Sequence, residues 1–131
     1  MYFIVFQIFL PLLRRASSAK SGAPWGIGRA AIVNISSGAG SISDNGSGGY
    51  LPYRASKTAL NSLSKTMSID LAKEEILVLA ILPGYVATDM TGNKGALTVE
   101  ESVKLMTTAI ATKSKEDTGI FFGKEGKPFP L

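Results

Sequence analysis

The sequence contains neither cysteine nor histidine among its 131 residues. Without cysteine the chain has no disulfide framework and no thiolate zinc site. Without histidine it lacks the usual general base, the commonest metal ligand and any Ser-His-Asp triad. Acid–base chemistry in this chain therefore depends on tyrosine, lysine or carboxylate groups, and we expect no metal centre.

Charged residues are also scarce, at 18% of the chain, and the net charge is only +4. The lysines are scattered and do not alternate with aromatic residues, as they would along a nucleic-acid interface. We therefore expect no nucleic-acid partner. A hydrophobic content of 45% is typical of a folded domain and not of a disordered chain.

The longest apolar run lies at the start of the chain, from Met1 to Leu13. It is too short to cross a bilayer, and Arg14 and Arg15 follow it instead of preceding it, unlike the charges of a signal peptide. We expect a packed helix over residues 1–16, apolar on all sides, with Pro11 at a kink or near an end. With no targeting segment or membrane association expected, the predicted location is cytoplasmic. A buried type of helix at the very start suggests that the chain begins partway through a fold.

The remaining segments alternate between strand and helix patterns. In chain order they are a strand at Ala30–Ser36, a helix at Tyr53–Lys73, a strand at Ile76–Leu82, a helix from Thr98 to about Thr112 and a strand at Thr118–Gly123. Thr98 and Glu101 form a capping-box signature. Such alternation predicts an α/β fold with a parallel sheet, here a partial doubly wound (Rossmann-type) sheet of about three strands. Gly26 and Gly28 precede a strand instead of following one, so we interpret them as a turn without a cofactor role.

Within these segments the patterns also predict which residues are buried. A stripe of Leu60, Leu63, Met67 and Leu71 faces the core, and Asn61, Ser62, Lys65 and Thr66 lie off it. In the last helix Val103, Leu105, Met106 and Ile110 partly face the core. The glycine-rich loop from Ser36 to Pro52 can turn tightly and approach a ligand, although its middle part, Asp44–Gly46, can equally be a mobile surface connection.

Tyr53 and Lys57 are four residues apart on one predicted helix, so their side chains share a face. An ammonium group beside a phenol favours the phenolate, and this suits the phenol to proton transfer with a carbonyl or alcohol oxygen. A serine hydroxyl at the end of the preceding strand can hydrogen-bond the same oxygen. Taken alone, a tyrosine–lysine pair more often decorates a surface, and a purely structural role for these residues stays open.

Three motifs in order connect these residues to a known family. Asn34–Ser37, then Tyr53-x-x-x-Lys57, then Pro83-Gly84-Tyr85-Val86-x-Thr88 resemble the second half of a short-chain dehydrogenase/reductase. The runs YRASKTALNSLSKTMSIDLA and PGYVATDM are most similar to the carbonyl-reductase branch, of the C-factor or sniffer type. The resemblance covers nearly the whole chain.

The resemblance implies a site and a chemistry. Ser37, Tyr53 and Lys57 match the family's catalytic serine, acid/base and lysine, and Tyr53 and Lys57 also contact its nicotinamide ribose. The residues that match its further cofactor contacts are Pro83, Gly84, Val86 and Thr88. The implied reaction is hydride transfer between NADP(H), or alternatively NAD(H), and a small carbonyl or alcohol compound. The resemblance also implies a homo-oligomer through the Met1–Ala16 and Tyr53–Lys73 helices.

Several features of the family are missing from the sequence. The Thr-Gly-x-x-x-Gly-x-Gly turn, the residue that selects the ribose and an Asn-Asn-Ala-Gly stretch do not occur, and Leu79 stands where many relatives have asparagine. We therefore interpret residues 1–131 as the C-terminal part of one such domain. We expect an exposed edge on the first strand and no NADPH turnover by this chain alone. The alternative is a truncated, non-catalytic fragment that acts by association with a full-length relative.

Overall fold

A computed structural model describes residues 2–131, and their side chains from Ile4 onward. The helices are α1 (Tyr2–Ala19), α2 (Leu51–Asp70) and α3 (Val99–Ala111), and the strands are β1 (Ala31–Ile35), β2 (Leu77–Leu82) and β3 (Phe121–Gly123). The strands form a parallel sheet in the order β1-β2-β3. The predicted α/β fold with a partial Rossmann-type sheet is thus confirmed.

Helices cover the sheet on both faces, and β2 lies in the middle. Ile76 and Val78 point toward the side of α1 and α2, where Leu10 and Met67 pack against them. The alternate residues Leu77, Leu79 and Ile81 point toward α3, with Met106 and Phe122. Every residue from Ile76 to Ile81 is buried, because a central parallel strand has helices on both sides.

Helix α1 differs from the predicted helix that is apolar on all sides and packed. Phe6, Leu10 and Leu13 pack on the sheet, but Ile8 and Leu12 on the opposite face are 66% and 59% exposed. Pro11 lies inside the helix, and Met1 lies outside the described residues. The helix continues past Ala16 to Ala19, where the buried Ser17 hydroxyl donates to the Glu74 carbonyl at 2.6 Å.

The other boundaries move by a few residues for local reasons. Helix α2 begins at Leu51, since Pro52 needs no amide partner in a first turn, and it ends at Asp70 instead of Lys73. A short 3-10 turn, Ala72–Glu74, follows it. Strand β3 begins only at Phe121, because Gly119 at φ +80° turns the chain before it.

Helix α3 has the predicted capping box. The Thr98 hydroxyl accepts from the Glu101 amide at 3.2 Å, and the Glu101 carboxylate accepts from the Thr98 amide at 2.8 Å. Met106 and Ile110 pack against the core as predicted. Val103 and Leu105 do not, because α3 turns its small residues Ser102 and Ala109 inward.

Candidate active site

The candidate site lies at the edge of the sheet where β1 and β2 end. Ile35 pairs with Ile81, and the Ser36 amide continues the ladder with a 2.7 Å bond to the Ile81 carbonyl. The segment after β1 therefore lies beside the one that begins at Pro83. Ligands of open parallel sheets bind at this edge.

Ser37 is the first residue past the β1 ladder. It caps a 3-10 turn at Gly38–Gly40, and its hydroxyl oxygen accepts from the Ala39 amide at 3.2 Å. This bond uses a lone pair of the hydroxyl and leaves its proton for another acceptor. Ser36 has a different position: it is buried, and its hydroxyl donates to the Asn61 side chain at 2.5 Å.

Asn61 lies inside the protein, and its predicted place off the buried stripe of α2 is wrong. It is 5% exposed, accepts from Ser36 and donates to the Gly40 carbonyl at 3.3 Å. The spacing of Asn61 in the sequence could have predicted its position, but the apolar stripe of the helix pointed to a different face. Tyr53, Lys57 and Asn61 are spaced by four residues, which places all three on one helical face.

Gly40 brings the turn after β1 directly onto the backbone of α2. A Cβ atom at this position would lie 2.8 Å from the Lys57 carbonyl carbon and 2.9 Å from the Asn61 amide nitrogen. The Thr58 hydroxyl donates to the Gly40 carbonyl at 3.0 Å. This contact fixes the distance between the turn that holds Ser37 and the helix that holds Tyr53 and Lys57.

Tyr53 and Lys57 face the end of β1 from the first turns of α2. The Lys57 ammonium nitrogen lies 5.8 Å from the centroid of the Tyr53 ring and donates to the Ile35 carbonyl at 2.9 Å. The Tyr53 side chain is 39% exposed, so a ligand can reach it. The structure thus brings Tyr53 and Lys57 together beside the strand end that leads into Ser37.

The segment after β2 forms a closed hoop. Pro83 and Gly84 leave the sheet edge, Gly84 with φ +85°. Further along, the Ala87 amide donates to the Leu97 carbonyl at 2.8 Å, and Val86 and Leu97 form a parallel bridge. The Thr88 amide donates to the Thr91 hydroxyl at 3.0 Å. The four residues for which the sequence predicts cofactor contacts thus lie on one hydrogen-bonded segment that starts beside Ser36. They are Pro83, Gly84, Val86 and Thr88.

Gly95 allows the two sides of this hoop to meet. A Cβ atom there would lie 2.0 Å from the Ala87 nitrogen. The need for glycine at this position arises from a backbone contact that no local pattern records.

The C-terminal residues reach the site from the other side. Ser43 donates through its amide to the Leu131 carbonyl at 3.0 Å, and its hydroxyl donates to the same oxygen. Phe129 packs edge-on to Phe121, with ring centroids 5.5 Å apart, and lies against Gly38. These contacts support the loop next to Ser37, a role that the sequence alone did not suggest for the tail.

The part of the chain that the structure describes contains neither a cluster of metal-binding side chains nor a membrane-spanning helix. Between residues 2 and 131 no three carboxylate side chains come close enough to share a metal ion. None of the helices in this range combines the length and apolar character that crossing a membrane requires.

The site residues fit one end of a dinucleotide. The Lys57 ammonium, the Tyr53 phenol and the backbone that follows Pro83 are suitable donors and acceptors for a ribose and a carboxamide. A pyrophosphate needs a glycine turn between a strand and a helix, with room for the phosphates. After β1 that room is filled, because Gly40 contacts the Lys57 backbone. The described residues therefore fit the nicotinamide end, and the turn after β1 offers no cradle for the pyrophosphate.

Known proteins resemble this chain in sequence and in fold. A family model described as short chain dehydrogenase matches residues 5–97. The carbonyl reductase Sniffer of Drosophila melanogaster has 39% identity over 96% of this chain, with a TM-score of 0.94. An NADPH-bound carbonyl reductase from chicken fatty liver has 38% identity over 98% of the chain, with a TM-score of 0.89. C-signal of Myxococcus xanthus is 36% identical over 76% of the chain.

The chain matches only part of each of these proteins. It spans 51% of the Sniffer chain and 52% of the chicken enzyme. It spans 60% of C-signal.

Proposed function

The chain belongs to the short-chain dehydrogenase/reductase family, and we propose that its site serves the reduction of a small carbonyl compound or the reverse oxidation of an alcohol. One observation carries the proposal. The Lys57 ammonium is hydrogen-bonded to the last carbonyl of β1, at 2.9 Å, and lies beside the Tyr53 ring. This arrangement places an ionisable phenol and a cation at the sheet edge where ligands bind.

Tyr53 is the proposed acid/base. Its phenol donates a proton to the carbonyl oxygen during reduction and takes one from the alcohol in the reverse direction. The Lys57 ammonium stabilises the phenolate that remains after proton donation. The Ser37 hydroxyl donates a hydrogen bond to the same substrate oxygen, since its bond from the Ala39 amide uses only one lone pair and leaves the O–H available as a donor.

The proposed cofactor is NADP(H), with NAD(H) as the alternative, and the bound cofactor would supply the hydride. Tyr53 and Lys57 would contact the nicotinamide ribose. Pro83, Gly84, Val86 and Thr88 would line the nicotinamide side. The support is the family membership, the donors present in the structure and the likeness to a carbonyl reductase that is NADPH-bound.

Because the described residues fit the nicotinamide end, we expect this chain to bind NADPH no more tightly than reduced nicotinamide mononucleotide, which is the nicotinamide half of the cofactor. Protein-observed NMR titrations with NADPH and with reduced nicotinamide mononucleotide would then give similar dissociation constants. Shifts should centre on Tyr53, Lys57 and Gly84, and Lys57→Met should weaken both ligands while Lys73→Met, on the exposed turn after α2, should not.

The titration separates the two parts of the proposal. If neither ligand shifts the signals around Tyr53, the proposed site is wrong. If NADPH binds far more tightly than the mononucleotide, or if the 131-residue chain turns NADPH over with a carbonyl compound, the limit to half a cofactor is wrong.

A second function, association, is favoured by the exposed face of α1. Ile4, Ile8 and Leu12 recur there at helical spacing and are 60%, 66% and 59% exposed. On α2, Ile69 is 65% exposed. Exposed apolar area of this extent on neighbouring helices suits a helix-to-helix interface between copies of the chain.

Light scattering across a concentration series tests this association. We expect a dimer or larger species for the natural chain, and a shift toward monomer for the double variant Ile8→Ser, Leu12→Ser. Replacing the exposed Ile42, which lies in the glycine-rich loop instead of on α1, by serine is the control. A natural chain that stays monomeric at all concentrations would exclude the interface.

A further inference from the structure

We propose that Arg54 is a positioning residue. It holds residues 41–50 of the glycine-rich loop closed beside Ser37 and Tyr53. The inference rests on the proposed function only in taking this loop as a wall of the substrate site. Arg54 directly follows Tyr53 in the first turn of α2, so any loop that it binds is fixed relative to the proposed acid/base.

The Arg54 guanidinium spans the loop with several hydrogen bonds. Its Nη2 donates to the Ser47 hydroxyl and the Gly48 carbonyl, both at 3.0 Å, and its Nε donates to the Gly49 carbonyl at 3.0 Å. Its Nη1 reaches the Ala39 carbonyl at 3.5 Å. A single side chain thus connects the far end of the loop to the turn that Ser37 caps.

The loop conformation depends on such an anchor. Gly48, Gly49 and Tyr50 are successive residues with φ angles of +63°, +69° and +51°. Left-handed backbone is unfavourable for tyrosine, and among the described residues the carbonyls of Gly48 and Gly49 accept hydrogen bonds from Arg54 alone. The planar guanidinium has five donors and can bridge several carbonyls at once, whereas a lysine ammonium acts as a point charge.

Among the described residues, the other hydrogen bonds between this loop and the rest of the chain lie at its beginning and at Tyr50, whose carbonyl accepts from the Arg54 amide at 2.9 Å. Inside the loop, the Gly48 amide donates to the Asn45 side chain at 3.0 Å. Gly40 is held by Thr58 and Asn61, and Ser43 is held by Leu131. The exposed side chains of Ile42 and Tyr50, which would meet a substrate, lie on either side of the segment that Arg54 controls. Loss of Arg54 should therefore release residues 44–50 and leave the sheet intact.

Hydrogen–deuterium exchange on the 131-residue chain tests this role. Arg54→Gln should speed exchange in peptides covering residues 44–50 by about tenfold or more, with β2 unchanged. Arg54→Lys should restore protection only in part, because it keeps the charge without the fork. Arg15→Gln, an equivalent change at an exposed position of α1, is the control and should leave the loop as in the natural chain.

Chemical rescue distinguishes positioning from general stability. In Arg54→Ala, added guanidinium ion should slow loop exchange again, while the same ion should not slow it in the natural chain. The proposal is overturned if Arg54→Gln and Arg15→Gln behave alike, if β2 exchange rises as much as loop exchange, or if Arg54→Lys is indistinguishable from the natural chain.

The measurement needs neither cofactor nor substrate. A failed nicotinamide titration would therefore refute the proposed function without touching the role of Arg54. Unchanged loop exchange in Arg54→Gln would refute the role of Arg54 and leave the nicotinamide titration unaffected.

Discussion

The carboxyl end of β1 is closed by polar contacts within the chain, whereas the outer edge of the strand is open. At its carboxyl end Ser36, Gly40 and Asn61 form a buried polar cluster, and among the described residues no buried side-chain nitrogen or oxygen lacks a hydrogen-bond partner. Along its outer edge and on the outer face of α1, apolar side chains such as Ile35 and Ile8 are exposed. The difference indicates that the polar cluster at the carboxyl end is satisfied within this chain, whereas the apolar side has no cover among the described residues.

Ladder geometry shows how the outer edge of β1 is left open. Ala30 and Ser36 bond to β2 through the Leu77 amide and the Ile81 carbonyl. Since residues of a parallel strand alternate in direction, Ala31, Val33 and Ile35 turn their backbone groups to the other edge. The Ile35 carbonyl accepts from Lys57. A proposed catalytic residue thus also occupies part of the open edge.

The largest expected effect comes from breaking the closed side at Gly40. A Cβ atom in Gly40→Ala would meet the Lys57 backbone at 2.8 Å, so the turn and α2 must separate. We expect the free energy of unfolding to fall by about 3 kcal/mol in urea denaturation. Gly46→Ala, where a Cβ atom meets nothing within 4 Å, is the control and should change stability by less than about 0.5 kcal/mol. Equal effects of the two variants would contradict the close contact.

A smaller effect is expected from the polar partner. Asn61→Ala leaves the buried Ser36 hydroxyl without its acceptor and opens a small cavity, and it should cost about 2 kcal/mol of stability. Ser62→Ala, at the neighbouring exposed position, should be nearly neutral. Chemical denaturation measures both variants. Ser36→Ala removes the other partner of the same bond, and its loss of stability should not add to that of Asn61→Ala. Fully additive losses in the double variant would show that the Ser36 contact is minor.

The smallest effect concerns the attachment of α1 on the open side. Arg14 donates to the Glu74 carboxylate at 2.5 and 2.9 Å, and the side-chain hydrogen bond from Arg14 lowers the pKa of Glu74. A lowered carboxyl pKa stabilises the fold above the pKa of the unfolded state, and this contribution is lost as the pH falls through the folded value. Glu74→Gln should therefore lower the melting temperature slightly near neutral pH.

The Glu74→Gln variant also tests how this stabilisation depends on pH. Below both pKa values the natural chain and Glu74→Gln should melt together, and added salt at neutral pH should reduce their difference because the pair is exposed. Thermal melts across a pH series measure this convergence. If the difference in melting temperature between the two chains grew as the pH fell, the lowered pKa of Glu74 would not be the source of the stabilisation.

Patterns within short stretches of sequence predicted much of the fold. Thr98 and Glu101 define the start of α3 because a capping box is a local interaction, and Ile76–Leu82 reads as a buried strand because both of its faces are apolar. The exposure of Ile8 and Leu12 could not be predicted, since an apolar residue type does not show whether the side chain packs inside the chain or lies on its surface. Val103 was misassigned because α3 packs through Ser102 and Ala109.

For the candidate site, spacing placed Tyr53 and Lys57 on one face, and this placement is confirmed. Their catalytic roles, with that of Ser37, stay predictions. Asn61 was missed because an asparagine inside a helix is usually read as a surface residue, although its four-residue spacing from Lys57 was visible. The contact of Gly95 with Ala87 lies within one loop, and that of Leu131 with Ser43 joins distant segments, but only the folded structure supplies either contact.

The contact between Ser43 and Leu131 also constrains how the protein folds. These residues are 88 positions apart, so the chain must close a very long loop to form it. Contacts of high sequence separation carry a larger loop-closure entropy and slow the formation of the parts of a fold that depend on them. The beginning of the glycine-rich loop therefore depends on a long-range contact, and this wall of the candidate site should form more slowly than the helices, whose contacts are local.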